Sequence, residues 1–168
     1  VLGLTVFRFY DIDNAEATTT TGVKLIQFTE KVTNHYYNNL LGTDEDYCIY
    51  TDTDSVFYSA IPLVKKRFPN ADIKDDKFMT DQILEIASEV QEYINKSYMY
   101  FANKFLNIGE DHRFDIKQEV IAKSAFWVTK KRYGQWIIND GGLECEKLDV
   151  KGLDIVRSSF PPAFQKFM

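Results

Sequence analysis

Apolar positions recur at helical spacing through Leu25, Phe28, Val32, Tyr36 and Leu40, and the string Asp13-Asn14-Ala15-Glu16 ahead of them has the form of a capping box. The pattern predicts a helix over about 14–39 with one buried stripe. The β-branched run Thr18 to Thr21 lowers helix propensity, so this early part should depend on tertiary packing. After Leu41-Gly42-Thr43 the period changes. Tyr47-Cys48-Ile49-Tyr50 and Val56-Phe57-Tyr58 flank the polar string Thr51-Asp52-Thr53-Asp54-Ser55, which reads as a β-hairpin with acids at its tip.

A polar, proline-punctuated stretch from Pro62 to Lys77 comes next, with no helix or strand assigned to it. A second helix follows over about 80–106, with Ile83, Ala87, Val90, Ile94 and Phe101 on one face and Thr80 as its N-cap. From Phe114 onwards strands are expected at Val120-Ile121, Phe126-Trp127-Val128 and Gln135-Trp136-Ile137-Ile138, closed by Asn139-Asp140-Gly141-Gly142, with a further short strand at Leu148-Asp149-Val150. Pro161-Pro162 should open a final helical segment to Met168. Helix, hairpin, helix and sheet in this order make an α+β fold with an antiparallel sheet packed by helices.

Composition agrees with one core. The chain has 168 residues, 45% of them hydrophobic and 15% aromatic, with only 8 Gly and 4 Pro, which excludes linker or collagen-like sequence. Two cysteines exclude a disulfide scaffold, and Cys48, Cys145, His35 and His112 do not stand at zinc-ligand spacing. Any metal should therefore be a hard one held by oxygen. The opening Val1 to Phe7 is apolar but too short for a membrane span and lacks the basic flank of a signal peptide, so a reduced, soluble, intracellular setting is expected.

The net charge of −5 conceals an uneven distribution. Residues 113–136 hold six bases (Arg113, Lys117, Lys123, Lys130, Lys131, Arg132) against two acids (Asp115, Glu119), while residues 1–60 hold nine acids against three bases. A solvated face explains such a strip as well as a ligand does. Interleaving with Phe126, Trp127, Tyr133 and Trp136 favours a surface that pairs with phosphates and packs on sugars or bases.

Asp52-Thr53-Asp54 is the sharpest local feature. Two carboxylates on one tip repel unless a cation or a donor compensates, and oxygen ligands suit Mg²⁺, which takes one or two carboxylates together with substrate phosphates. Taken alone, the tripeptide is better explained as an Asx-type turn whose acids cap backbone amides.

The wider string changes that balance. Tyr50-Thr51-Asp52-Thr53-Asp54-Ser55 resembles the Tyr-Gly-Asp-Thr-Asp-Ser signature of family B DNA polymerases, with Thr51 where that family usually has Gly. Val1-Leu2-Gly3 through Phe7-Arg8-Phe9-Tyr10-Asp11 and Asn14-Ala15 resemble the stretch that follows the family's finger motif. Lys130-Lys131-Arg132-Tyr133 resembles its Lys-x-Tyr motif, and Lys151-Gly152-Leu153-Asp154-Ile155-Val156-Arg157-Ser158-Ser159 its passage from palm to thumb. The four motifs keep their order over essentially the whole chain, and the likeness is to replicative polymerases of tailed bacteriophages.

The resemblance implies a palm over residues 1–157 and the start of a thumb over 158–168, with nucleotidyl transfer by a two-metal mechanism in viral DNA replication. It implies Asp54 as the carboxylate that holds two Mg²⁺ ions, Asp52 as its assistant, and Glu119 as a third acid near the metals, although a strand Glu paired with Lys117 or Lys131 accounts for Glu119 equally well. Lys131 and Tyr133, with Lys130 and Arg132, would lie along primer–template DNA, and Thr53 would touch the incoming deoxynucleoside triphosphate. A sliding clamp is an implied partner and the cytoplasm of the infected bacterial host the implied location. A second catalytic Asp motif and the finger helix find no counterpart in the chain, so it reads as a polymerase fragment, inactive by itself. Two other readings stay open: a metal-dependent nuclease using Asp52 and Asp54, and a non-catalytic nucleic-acid-binding module whose acidic turn is structural.

Overall fold

A computed structural model describes residues 3–154. The expected helix at Pro161 to Met168 and the thumb segment lie outside these residues. Within them the order is α1 (Ile12–Leu41), β1 (Cys48–Thr51), β2 (Val56–Tyr58), α2 (Ile61–Arg67), α3 (Asp76–Phe101), a π-helical turn (Ala102–Leu106), a 3₁₀ turn (Gly109–Asp111), β3 (Val120–Thr129), β4 (Arg132–Asp140) and β5 (Leu143–Lys151). Two antiparallel sheets result, β1-β2 and β3-β4-β5, so the α+β expectation holds.

α1 is capped by Asp11, not Asp13: the Asp11 carboxylate accepts from Asn14 N–H at 3.0 Å. The threonine run is helical although exposed, because Thr18 and Thr19 return their hydroxyls to the carbonyls of Asn14 and Ala15, which spares those groups a competing non-helical partner. The apolar opening segment instead forms turns, with Leu4, Val6 and Phe9 exposed.

α1 and α3 pack antiparallel: Phe28 meets Phe101, Thr29 meets Tyr98, and Tyr36 meets Tyr93. The buried positions of α3 are Met79, Thr80, Ile86, Ile94, Tyr98 and Phe101. Ile83 and Val90 from the expected stripe only flank the core. The helix begins at Asp76 under an Asp75 cap, four residues before the expected start, and Thr80 lies inside it with its hydroxyl on the Asp76 carbonyl.

The proline-punctuated stretch, to which the sequence assigns no element, holds most of α2. Pro62 in its first turn leaves no amide unsatisfied that the helix would have used. Leu63 and Val64 of this short helix are buried with Tyr37, Met79 and Ile86, and they carry Tyr58 of β2 on the same cluster. Arg67 grips both carboxylate oxygens of Glu89 on α3, and Tyr36 donates to Glu89 at 3.0 Å.

Two asparagines one turn apart on α1 aim the chain into the first hairpin. Gly42 ends the helix in the left-handed conformation at φ 73°, and the Asn38 side chain then takes the Glu45 N–H at 2.9 Å and gives to the Glu45 carbonyl. Asn34 accepts from Tyr47 N–H at 2.9 Å and donates to Asp46. β1 and β2 are thereby fixed on the side of the α1–α3 pair.

Asn95 on α3 does the same for the second sheet, accepting from Ile116 N–H at 2.9 Å and donating to the Ile116 carbonyl at 3.1 Å, just before β3. β4, central in the sheet, buries Tyr133, Gln135, Ile137 and Asn139 on one face, as the two-residue alternation of a half-buried strand requires.

Candidate functional site

Register Thr51↔Val56 leaves Asp52 to Ser55 as the tip of the first hairpin, closed by Asp52 N–H on the Ser55 carbonyl at 2.9 Å. Its two acids differ. Asp52 Oδ1 accepts from Thr53 N–H at 2.7 Å and from the Thr53 hydroxyl at 3.1 Å, and Oδ2 accepts from the Tyr50 hydroxyl at 3.4 Å. Lys131 Nζ lies 3.8 Å from Asp52 Oδ1. Partial burial would push the Asp52 carboxyl up, but the Thr53 donors, the Lys131 ammonium and the Tyr50 hydroxyl together outweigh it and hold the group below the usual carboxylate value.

Asp54 is exposed, and no hydrogen bond or ion pair among the described residues engages its carboxylate. The expected Asx-type turn is not formed: Asp52 accepts from the amide one residue on rather than two, and Asp54 caps no amide among the described residues.

The basic turn comes to this tip from the other sheet. β3 and β4 are joined through Lys130 and Lys131, with Thr129 facing Arg132. Tyr133, the second residue of β4, packs on Tyr50 and Phe57 with ring centroids 5.5 and 6.0 Å away, just beyond the Lys130-Lys131 turn. Trp127 of β3 packs on the same two rings at 6.3 and 6.0 Å. Four aromatic side chains thus join the hairpin to the three-stranded sheet. Burial, then the negative charges of Asp149 and the groups at the tip, raises the pKa of Tyr133, which keeps its hydroxyl a hydrogen-bond donor. Gln135 beside it is buried and donates to Asp149 at 3.1 Å.

Much of the basic strip is internally compensated. Lys117 pairs with Asp115, Lys123 with Asp76 and Arg132 with Asp154, while Lys130 is exposed on the rim of a groove lined by Glu30, β1 and the end of β3. Asp52, Thr53, Asp54, Lys131 and Tyr133 are brought together. Glu119 is not: it precedes β3 at the end of the sheet where its carbonyl accepts from Gly141 N–H, separated from the Lys130-Lys131 turn by the whole of β3, roughly 30 Å of extended chain. Neither Lys117 nor Lys131 pairs with it.

Both donors of Thr53 point at Asp52. The pair of carboxylates offers hard oxygen ligands of the type and number that Mg²⁺ takes from a protein when substrate phosphates supply the rest. No cluster of three or more His, Cys, Asp or Glu able to hold a metal occurs among the described residues, so the extra ligands that a self-contained nuclease site needs do not converge on this tip. No helix among them is long and apolar enough to cross a membrane.

Sequence reasoning passed over Tyr50 and Gly152. Tyr50 lies in β1, next to the tip, and its hydroxyl reaches back to Asp52 Oδ2 at 3.4 Å. Gly152 closes β5 with φ 63°, where an added Cβ would lie 2.0 Å from the Lys131 carbonyl oxygen. Nothing local announces that contact, because its partner is on another strand.

The sequence profile of DNA polymerase family B matches residues 1–168. A DNA-directed DNA polymerase of Escherichia phage RB69 is 32% identical over 177 aligned positions, which cover 98% of this chain and 19% of that protein. One from Enterobacteria phage T4 is 28% identical over 181 positions, with the same shares. The chain thus spans about a fifth of the length of these relatives.

Proposed function

The chain belongs to DNA polymerase family B, and from that premise we propose that it is the palm portion, residues 1–157, of a DNA-directed DNA polymerase that acts in bacteriophage replication within the infected bacterial cytoplasm, with residues 158–168 opening the thumb. The observation that carries the reading is the unequal pair at the hairpin tip: Asp52 is held ionised by its neighbours, and Asp54 beside it is exposed and unengaged. A carboxylate kept free next to one already satisfied suits a site completed by a cation and by groups from outside the described residues.

Asp54, with Asp52 as the orienting acid, would hold Mg²⁺. When bound, such ions lower the pKa of a primer 3′-hydroxyl and neutralise the leaving pyrophosphate. Glu119 is left out of this set because of its distance along β3. Thr53 supports it by fixing Asp52, and the position of Thr53 at the tip makes it a neighbour of the incoming triphosphate. Lys131 supplies a cation to the backbone of the primer–template near the 3′ end, and Tyr133 a donor backed by packed aromatic rings, so that duplex shape is sensed without base readout. Lys130 and Arg132 extend this surface. Deoxynucleoside triphosphates are the second substrate; a sliding clamp is supported by the family resemblance alone.

The test is Asp54→Ala in the full-length polymerase. Loss of an outer-shell partner of a metal ligand already costs about 10–100-fold, so loss of the ligand itself should lower incorporation by more than about a hundredfold while primer–template affinity is retained. Incorporation within a fewfold of the unaltered enzyme would refute the assignment.

A further inference from the structure

Lys131 occupies the left-handed region at φ 62°, one of only two non-glycine residues to do so among the described residues. It stands in a two-residue connection at a place where Gly, Asn or Asp is the ordinary occupant, because a lysine Cβ crowds the following carbonyl there. An unfavourable conformation of this kind persists when its surroundings enforce it. Here they do so from both sides. The Lys131 N–H donates to the Tyr50 hydroxyl at 2.8 Å, and Gly152, at the end of β5, presses against the Lys131 carbonyl so closely that only a residue without a Cβ fits.

The Tyr50 hydroxyl has one proton, and with the Lys131 amide as its donor it can give that proton to Asp52 Oδ2, 3.4 Å away. The ring that carries it is set between Phe57, Trp127 and Tyr133 at centroid distances of 5.9, 6.3 and 5.5 Å, so the oxygen has little freedom to leave. One oxygen atom of Tyr50 therefore touches both the acidic tip beside it and the basic turn, whose Lys131 lies 81 positions from Tyr50 in the chain.

We propose that Tyr50 is a positioning residue: its hydroxyl joins the Lys131 turn to Asp52, so that the cation facing the primer–template and the carboxylates at the hairpin tip keep one fixed separation. The inference rests on the reading of Lys131 as a duplex contact. Tyr50 acts in this scheme through Lys131 and Asp52. A glycine at position 131 would relieve the backbone but remove the charge, so the lysine in a strained place is explained by where its ammonium is delivered.

The experiment is a double-substitution cycle in the full-length polymerase, reading the dissociation constant of a primer–template duplex and its salt dependence. Tyr50→Phe removes the hydroxyl and keeps the ring; it should weaken duplex binding roughly two- to tenfold, the range of one or two net hydrogen bonds, and lower the salt slope towards that of Lys131→Ala. In a Lys131→Ala background Tyr50→Phe should add nothing, because the group it positions is gone. Gly152→Ala, which reaches Lys131 from the opposite side, should reproduce this non-additivity and serves if Tyr50→Phe does not fold. Losses that add across the cycle, as a merely structural tyrosine would give, or an affinity unchanged by Tyr50→Phe, would overturn the inference while leaving the Lys131 contact standing. An affinity unchanged by Lys131→Ala would overturn the duplex reading itself and the inference with it.

Discussion

The hydroxyl of Thr29 on α1 lies 2.8 Å from that of Tyr98 on α3, and both residues are buried. Thr29 also donates to the Leu25 carbonyl, and Phe28 and Phe101 close the site beside it. The two long helices thus meet through a polar contact in an apolar seam, where a hydroxyl deprived of its partner has no water to turn to.

Thr29→Val should accordingly destabilise the fold by about 1–3 kcal/mol, since it leaves the Tyr98 hydroxyl buried and unpaired. Tyr98→Phe should act similarly on Thr29, with less effect because Thr29 keeps Leu25. Combining the two should recover part of the loss. Denaturant unfolding of the three variants measures this, and strictly additive losses would contradict it.

The first helix and the hairpin show how far the sequence alone reaches. The acids at the hairpin tip and the strands around Trp127 and Trp136 were legible, since two-residue alternation and turn residues are local signals. α2 was not, because Pro62 reads as punctuation when only its place in the first turn reveals it as compatible with a helix. The caps were misplaced, Asp13 for Asp11 and Thr80 for Asp75, because several acceptors compete near each start and tertiary contacts choose among them. Of the α3 stripe Ile83, Ala87, Val90, Ile94 and Phe101, the last two are buried as expected, whereas Ile83 and Val90 only flank the core and Ile86 and Tyr98 are buried in addition; helical period fixes that a stripe exists more firmly than its phase. At the site, the acids and the basic turn were legible, but that Glu119 stands a whole strand away from them is a matter of register.

Asn38→Ala should loosen the connection between α1 and the hairpin. It removes an acceptor for the Glu45 amide and the Thr43 hydroxyl and a donor to the Glu45 carbonyl. These groups are near water, so the loss should be modest, about 1–2 kcal/mol. Faster amide exchange at Glu45 and Tyr47, with α3 unaffected, would mark the change as local.

Asp52 has a folded-state pKa below its unfolded value. Its contribution to stability is therefore complete above the unfolded value near 3.9 and is lost as pH falls through the lower folded one. Carboxyl-carbon chemical shifts followed by NMR should place its midpoint below that of an exposed aspartate, and Lys131→Ala should move it upwards. A midpoint at or above about 3.9 in the unaltered protein would contradict the arrangement.

Lys131→Ala in the full-length polymerase should reduce the salt dependence of primer–template binding by about one ion and weaken binding alike for all sequences, because a phosphate-region cation carries no base information. Binding measured across a range of salt concentrations on two unrelated duplexes is the check. A preference for one of them would point to base contact instead.

α1 has 30 residues, about 45 Å of helix, yet its buried positions begin only at Thr29. The portion before Val23 behaves mechanically as a cantilever, rooted at one end against α3 and carrying exposed threonines along its span. Its amides should exchange with solvent as a gradient, fastest at the Asp11 cap and slowing stepwise towards Tyr37, because opening there breaks hydrogen bonds without uncovering core. Anything that grips the portion before Val23 would act with a long arm on the root, and the root carries Asn34 and Asn38, which direct the hairpin.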